Sequence, residues 1–250
     1  MSKTRKMYFM RLVLRCIIFL LAVLMFVFDK DEFDIVCGWN FFQRFSYLHV
    51  LWAIWMWDMV MQLIPVKAHI SIGSQKQFFE LFRPIKEKIN QKNLKKYIID
   101  TTKSAYKVMV LWVVVNTVIG ILYFKGIIDV ALVFLISVFF YVCDLICVLV
   151  WCPFRLIMKN KCCTTCRIFN WDHLMMFAPL IMVVGFYTWS LVAFALVVWI
   201  VWEICVFTYP ERFWENSNMA LKCCECKDKL CTQYCRKLRG KDHTVGGKKS

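Results

Sequence analysis

Long apolar runs alternate with short polar ones along the whole chain. A basic start gives way to an apolar run over residues 8–28, the acidic stretch "DKDEFD" follows, and a second apolar run covers 46–66. A mixed segment then leads into two closely spaced runs, 107–124 and 128–152, and a Cys-rich basic stretch over 153–173 precedes a final apolar run, 174–207. A helix crosses a hydrocarbon core of roughly 30 Å with about 20 residues, so each of the first four runs predicts one span. The last run, 34 residues, is too long for one ordinary span and just sufficient for two short ones, 174–188 and 190–207, turned at Phe186-Tyr187-Thr188-Trp189-Ser190. The predicted fold is all-α: a polytopic membrane helical bundle of about six transmembrane helices over residues 1–207. A basic, cysteine-rich tail, 208–250, is expected to pack on the 153–173 loop.

The segment between the second and third runs predicts helix of two kinds. In "SQKQFFELF", Phe78, Phe79, Leu81 and Phe82 lie beside Lys76 and Arg83, the pattern of an amphipathic helix resting in the headgroup region until Pro84 interrupts it. From Asn93, "NLKKYIIDTTKSAYKVMVLW" has no Gly or Pro, so a cytoplasmic helix is expected to run straight into the third span.

Composition narrows the class. At 60% hydrophobic and 17% aromatic residues, with 8 Gly and 5 Pro, the chain is unlike an ordinary soluble domain. The basic residues sort by loop: 27 of the 32 Lys and Arg lie in the N-terminal tail, in 67–107, in 153–173 and after 207, whereas the alternate loops hold only Lys30, Arg44 and Lys125. Basic loops stay on the cytoplasmic side, so both termini and both long loops are predicted to be cytoplasmic, in a multi-pass protein of the cell membrane. The first run is longer than a signal-peptide core and lacks a small-x-small cleavage site, so it reads as a retained anchor. Topology and attraction to a bilayer with an anionic inner leaflet account for the net charge of +15, and nucleic acid is disfavoured as a partner.

Cysteine is the most specific chemical signal. Of 14, Cys16, Cys143, Cys147, Cys152 and Cys205 lie within or at the ends of predicted spans and read as small buried apolar residues, and Cys37 alone faces outward. Eight remain on the cytoplasmic side in two clusters: Cys163-x2-Cys166 preceded by Cys162, and Cys223-x2-Cys226 accompanied by Cys224, Cys231 and Cys235. Each short loop can aim two sulfurs at one ion, and a helical hairpin over 174–207 would return the second pair to the face of the first. The expected metal ligands are Cys163, Cys166, Cys223 and Cys226, with Cys231 in reserve. Zinc is favoured over an iron-sulfur cluster because the tail spacing departs from the common ferredoxin run. Juxtamembrane lipid attachment would explain one or two such cysteines but not eight.

Polar residues inside the runs are the second signal, since they are expensive in lipid. Asp58 and Asn116 fall near the middle of the second and third runs, Asp144 in the inner half of the fourth, and Arg15 about 10 Å into the first. Arg15 and Asp144 lie at similar depth and are expected to pair. Asp58, with no basic residue at its level, reads as a protonated acid or a cation and proton site. Glu203 sits close enough to the inner end to snorkel, and His173 and His69 are read as ordinary boundary residues. No complete catalytic motif is present: Cys163-x2-Cys166-x5-Asp172-His173 departs from cysteine-rich acyltransferases because Leu174 and Met175 stand where their second His and nucleophilic Cys belong. The expected role is transporter-like or sensor-like. Asp58, Asn116 and Asp144 would line a polar path, and a metal-tied inner surface would supply rigidity or dock a cytoplasmic protein partner. The alternative is a membrane redox protein passing electrons through a cytoplasmic iron-sulfur site.

Overall fold

The computed structural model describes residues 2–65, 72–86, 89–160, 162–226, 228 and 230. It is all-helical, with no strand among the described residues. Four of the α-helices start where a short polar side chain satisfies the first unpaired N–H groups. Ser2 Oγ accepts from Arg5 N at 3.1 Å to open α1 (Lys3–Phe28), and Ser46 opens α2 (Tyr47–Leu63) in a capping box with His49. A single turn, α3 (Ile72–Gln75), precedes the longest helix, α4 (Gln91–Phe124), which Asn90 caps. Asp129 Oδ1 takes the Leu132 N–H at 2.8 Å to start α5 (Val130–Leu149). Then come the short α6 (Phe154–Met158) and α7 (Asp172–Phe177), and finally α8 (Phe186–Thr208).

Four helices among the described residues, α1, α4, α5 and α8, are long and apolar enough to cross a membrane. Their outward faces carry exposed Leu20, Val27, Val110, Val113 and Ile204, which water would not favour and lipid would. The second run forms a 17-residue helix, about 25 Å long, which falls short of that length. The 174–188 span is not formed. Instead, α7 ends after six residues, the chain tightens into a 3-10 turn over Ala178–Met182 that contains Pro179, and α8 begins at Phe186. Proline lacks the N–H that would continue a helix, so the reversal falls at Val183–Gly185, and the expected turn residues form the first turn of α8.

α1 packs along α5, α2 along α8, and α7 with its following turn wedges between α5 and α8. The wedge fills the core with aromatic rings: Trp55 meets Phe177 at 5.1 Å and Phe134 at 5.7 Å, centroid to centroid, and Phe134 meets Tyr187 at 5.8 Å. Tyr187 satisfies its buried hydroxyl by donating to Leu48 O at 2.9 Å.

At the end opposite the N-terminus, two connections are tied together by backbone. Gly38 N donates to Val184 O at 2.8 Å and Phe186 N donates to Gly38 O at 2.9 Å. A Cβ at Gly185 would stand 2.2 Å from Val36 O, so only glycine admits this approach.

At the N-terminal end the expected headgroup helix is replaced by a buried turn. Ser74, Gln75, Lys76 and Gln77 are buried against the 163–171 segment, while Phe79 is exposed. Inside, the Lys76 Nζ is met by a carbonyl and two rings: it donates to Cys166 O at 2.8 Å and lies 5.0 Å from the Trp202 ring and 5.3 Å from that of Phe213. The continuous helix expected from Asn93 is present, as α4, and Tyr97 on it stacks on Trp214 at 5.7 Å. Past α8, Met219 N donates to Arg83 O at 2.8 Å, and Leu230 packs on Tyr8, Leu145 and Leu149.

Candidate functional site

The polar residues of α1, α2, α5 and α7 converge in the N-terminal half of the bundle. Arg15, one of the few buried residues of α1, donates from Nη1 to Asp144 Oδ2 at 2.6 Å and to Tyr141 O at 2.7 Å. Its Nη2 lies 3.9 Å from Asp58 Oδ2, and its guanidinium sits 3.8 Å from the centroid of the Tyr141 ring. Tyr141 in turn donates its hydroxyl to Asp58 Oδ2 at 3.0 Å. The register of two antiparallel helices produces this arrangement, because Tyr141 and Asp144 are three residues apart and so share one face of α5. The Arg15–Asp144 pair is thus present, and Asp58 joins it through Tyr141.

A second half of the cluster comes from the wedge. Gln62, one turn beyond Asp58 on α2, donates from Nε2 to Asp172 Oδ2 at 3.0 Å and lies 3.1 Å from His173 Nδ1. His173 Nδ1 is 3.3 Å from Asp172 Oδ2, while its Nε2 is buried without a hydrogen-bond partner. Arg15, Asp58, Gln62, Asp144, Asp172 and His173 all line one cavity of about 160 Å³, which Tyr8, Arg11 and Ser74 also border. The aromatic layer of Trp55, Phe134 and Phe177 lies on the other side of the cluster, since Trp55 is one turn before Asp58 in α2. Three carboxylates therefore share one buried guanidinium and one imidazole in a space that admits water. Such a set can hold a proton or a small cation and pass it between neighbouring oxygens.

Asn116 is not part of this set: its Nδ2 donates to Trp112 O at 2.8 Å within α4, and its buried Oδ1 has no partner. Glu203 belongs to a separate knot near Lys76, where it accepts both guanidinium N–H groups of Arg167 and the Trp171 indole N–H at 2.9 Å. Complete burial brings the Lys76 ammonium down to about 7.

Each Cys-x2-Cys pair forms the same tight turn. Cys166 N donates to Cys163 O at 2.9 Å and Cys226 N to Cys223 O at 3.4 Å, each across a 3-10 turn. Among the described residues no three His, Cys, Asp or Glu side chains are grouped so as to hold a metal ion, so the expected joint site gains no support there. Cys231, the reserve ligand, lies outside the described residues, as do Cys235 and His69. Burial pushes the Cys166 thiol up to about 11. Cys163 and Cys166 instead face an apolar cavity between α4 and α5.

Gln62, Asp172 and His173 are the members that reading the sequence missed. Pro179 and Gly185 are the single Pro and the single Gly in 174–207, and together they carry the signal that this run folds back on itself and delivers its first residues into the bundle. Compared with protein-family models, with curated proteins and with solved structures, the chain matches none of them, so its function is argued from its own residues.

Proposed function

We propose that this is a multi-pass membrane protein of transporter-like character that moves protons through the Arg15–Asp58–Asp144–Asp172–His173 cluster. The observation that carries the reading is the charge balance of the cavity: three carboxylates line it against two guanidiniums, the buried one of Arg15 and the exposed one of Arg11. The carboxylate in excess is held most cheaply by binding a proton, and His173, whose Nε2 has no hydrogen-bond partner among the described residues, stands beside Asp172 to exchange it. The basic residues that flank this end of the bundle put it on the cytoplasmic side by the positive-inside rule, so the cavity would load from the cytoplasm. The aromatic layer beyond it would close the outward route, and the lipid bilayer with its anionic inner leaflet would be the standing partner. A zinc staple through Cys163, Cys166, Cys223, Cys226 and Cys231 gains no support from the described cysteines and does not enter the reading. The iron-sulfur alternative is left out on the same ground.

The test is proton flux in liposomes that enclose a pH-sensitive dye, with a potassium diffusion potential imposed across the bilayer. Wild-type protein should acidify or alkalinise the lumen with the sign of the potential, and Asp58→Asn should reduce the rate by at least about 10-fold, as removal of one relay carboxylate does. Flux equal to that of protein-free liposomes, or unchanged in Asp58→Asn and Asp144→Asn alike, refutes it.

A further inference from the structure

A second cavity, about 120 Å³, lies behind the first and differs from it in kind. Its wall carries five thiols, those of Cys143, Cys147, Cys152, Cys163 and Cys166, drawn from α5, the loop after it and the 163–166 turn. Two thioethers, Met175 and Met176, line it as well, with the aromatic rings of Trp112, Phe140, Phe154 and Phe169. Nothing in apolar packing asks for seven sulfurs around one small space. The thiols of Cys147 and Cys152 are in hydrogen-bond contact, and Cys163 Sγ lies 3.5 Å from Cys147 O. The last turn of α5 puts Cys147 on the cavity, and the chain then breaks from the helix after Leu149 and turns Cys152 back toward it.

We propose that this cavity is a binding site for a soft monovalent cation, Cu(I), with the sulfurs of Cys147 and Cys152 as its two ligands. Soft thiolates in apolar surroundings select Cu(I) over zinc, magnesium or calcium, and Cu(I) is content with two sulfurs, whereas a structural zinc site calls for four ligands. A two-sulfur site is compatible with the finding that no three His, Cys, Asp or Glu side chains are grouped to hold a metal ion among the described residues. Cu(I) replaces the proton on each thiol, so binding forms two Cu–S bonds, breaks two S–H bonds and releases two protons, with no change of oxidation state. Asp144 and Asp172 stand in the wall that this cavity shares with the polar one and are the nearest acceptors for those protons. The thioethers of Met175 and Met176 supply further soft contacts without adding charge. The site does not depend on proton transport by the acidic cluster.

The experiment is a protection map of the full-length chain in detergent under nitrogen. One equivalent of Cu(I), delivered as its bicinchoninate complex, is followed by N-ethylmaleimide and peptide mass mapping, with Cys16 and Cys205 as internal references. Alkylation of Cys147 and Cys152 should slow together by about 100-fold, the scale on which a buried thiol pair is withdrawn by its metal, with the references unchanged. The double variant Cys147→Ser/Cys152→Ser should leave that equivalent on the chelator. Protection confined to cysteines after residue 222, equal alkylation with and without copper, or recovery of Cys147 and Cys152 as a disulfide from anaerobic protein would each overturn the proposal. Should the double variant fail to fold, the wild-type map decides alone.

Discussion

Replacing Arg15 with Met removes the cation around which three aspartates are arranged, and the structure fixes how much should be lost. Breaking a buried ion pair by deleting one partner costs about 3–5 kcal/mol. The Asp144 side chain is 22% exposed and borders a cavity large enough to admit water, which places the loss at the lower end, about 3 kcal/mol. Asp144→Leu leaves Arg15 with the Tyr141 carbonyl and with Asp58 at 3.9 Å, so about 2 kcal/mol is expected. Independent effects would sum to about 5 kcal/mol in the double variant. The pair predicts otherwise: with neither charge present, the double variant should lose about 1–2 kcal/mol, since Asp58 keeps its Tyr141 hydroxyl at 3.0 Å. For a chain of this size 1 kcal/mol moves Tm by roughly 2–4 °C, so Arg15→Met should melt about 6–12 °C lower and the double variant only about 2–8 °C lower. Thermal melting in detergent, followed by intrinsic fluorescence of the 11 tryptophans, resolves that difference. A double variant that melts below wild type by the sum of the two single shifts would show that Arg15 and Asp144 do not act as a pair.

Two further predictions concern other parts of the fold. Lys76 is held near 7 in the folded chain against an ordinary value of 10.5, so between those values the unfolded chain binds the extra proton and stability should rise with pH, by at most about 1.4 kcal/mol per pH unit. The contribution is complete at high pH and is lost as pH falls through 7; Lys76→Met should flatten melting curves compared across pH 7–10, and an unchanged slope counts against burial of the ammonium. Gly185→Ala, whose Cβ would meet Val36 O at 2.2 Å, should separate the two connections at the far end and lower stability by about 2–3 kcal/mol; hydrogen exchange at the Gly38 and Phe186 amides no faster than in wild type would contradict the observed bridge.

What the sequence made legible was whatever depends on distance along one helix. Apolar run length predicts about six spans, of which four helices among the described residues, α1, α4, α5 and α8, are long and apolar enough to cross a membrane, and rise per residue puts Arg15 and Asp144 at one depth, where they pair. What it hid depends on where the chain turns. The chain reverses at Val183–Gly185, earlier than the predicted Phe186–Ser190, because Pro179 and Gly185 rather than the aromatic residues mark the break, and so Asp172 and His173 stand in the cavity instead of at the boundary. Lys76 was placed at the surface because a lone lysine among phenylalanines usually lies there; its partners are main-chain carbonyls of residues some 90 positions away, which no local pattern encodes. The two Cys-x2-Cys turns were correctly seen as local units, but spacing alone says nothing of whether two such units meet.

The length of α4 has a mechanical consequence. Its 34 residues extend roughly 51 Å, so about 20 Å of it stands clear of a 30 Å hydrocarbon layer. No proline interrupts it, and its hydrogen-bonded ladder gives it no hinge. Such a rod works as a lever whose free arm is gripped where Tyr97 stacks on Trp214, in the segment leaving α8. A tilt of about 10° about its midpoint would carry that grip through about 3 Å and the opposite end, at Phe124, through about 4 Å the other way. A pull on the segment leaving α8 at Trp214 is thereby felt at the far end of the rod.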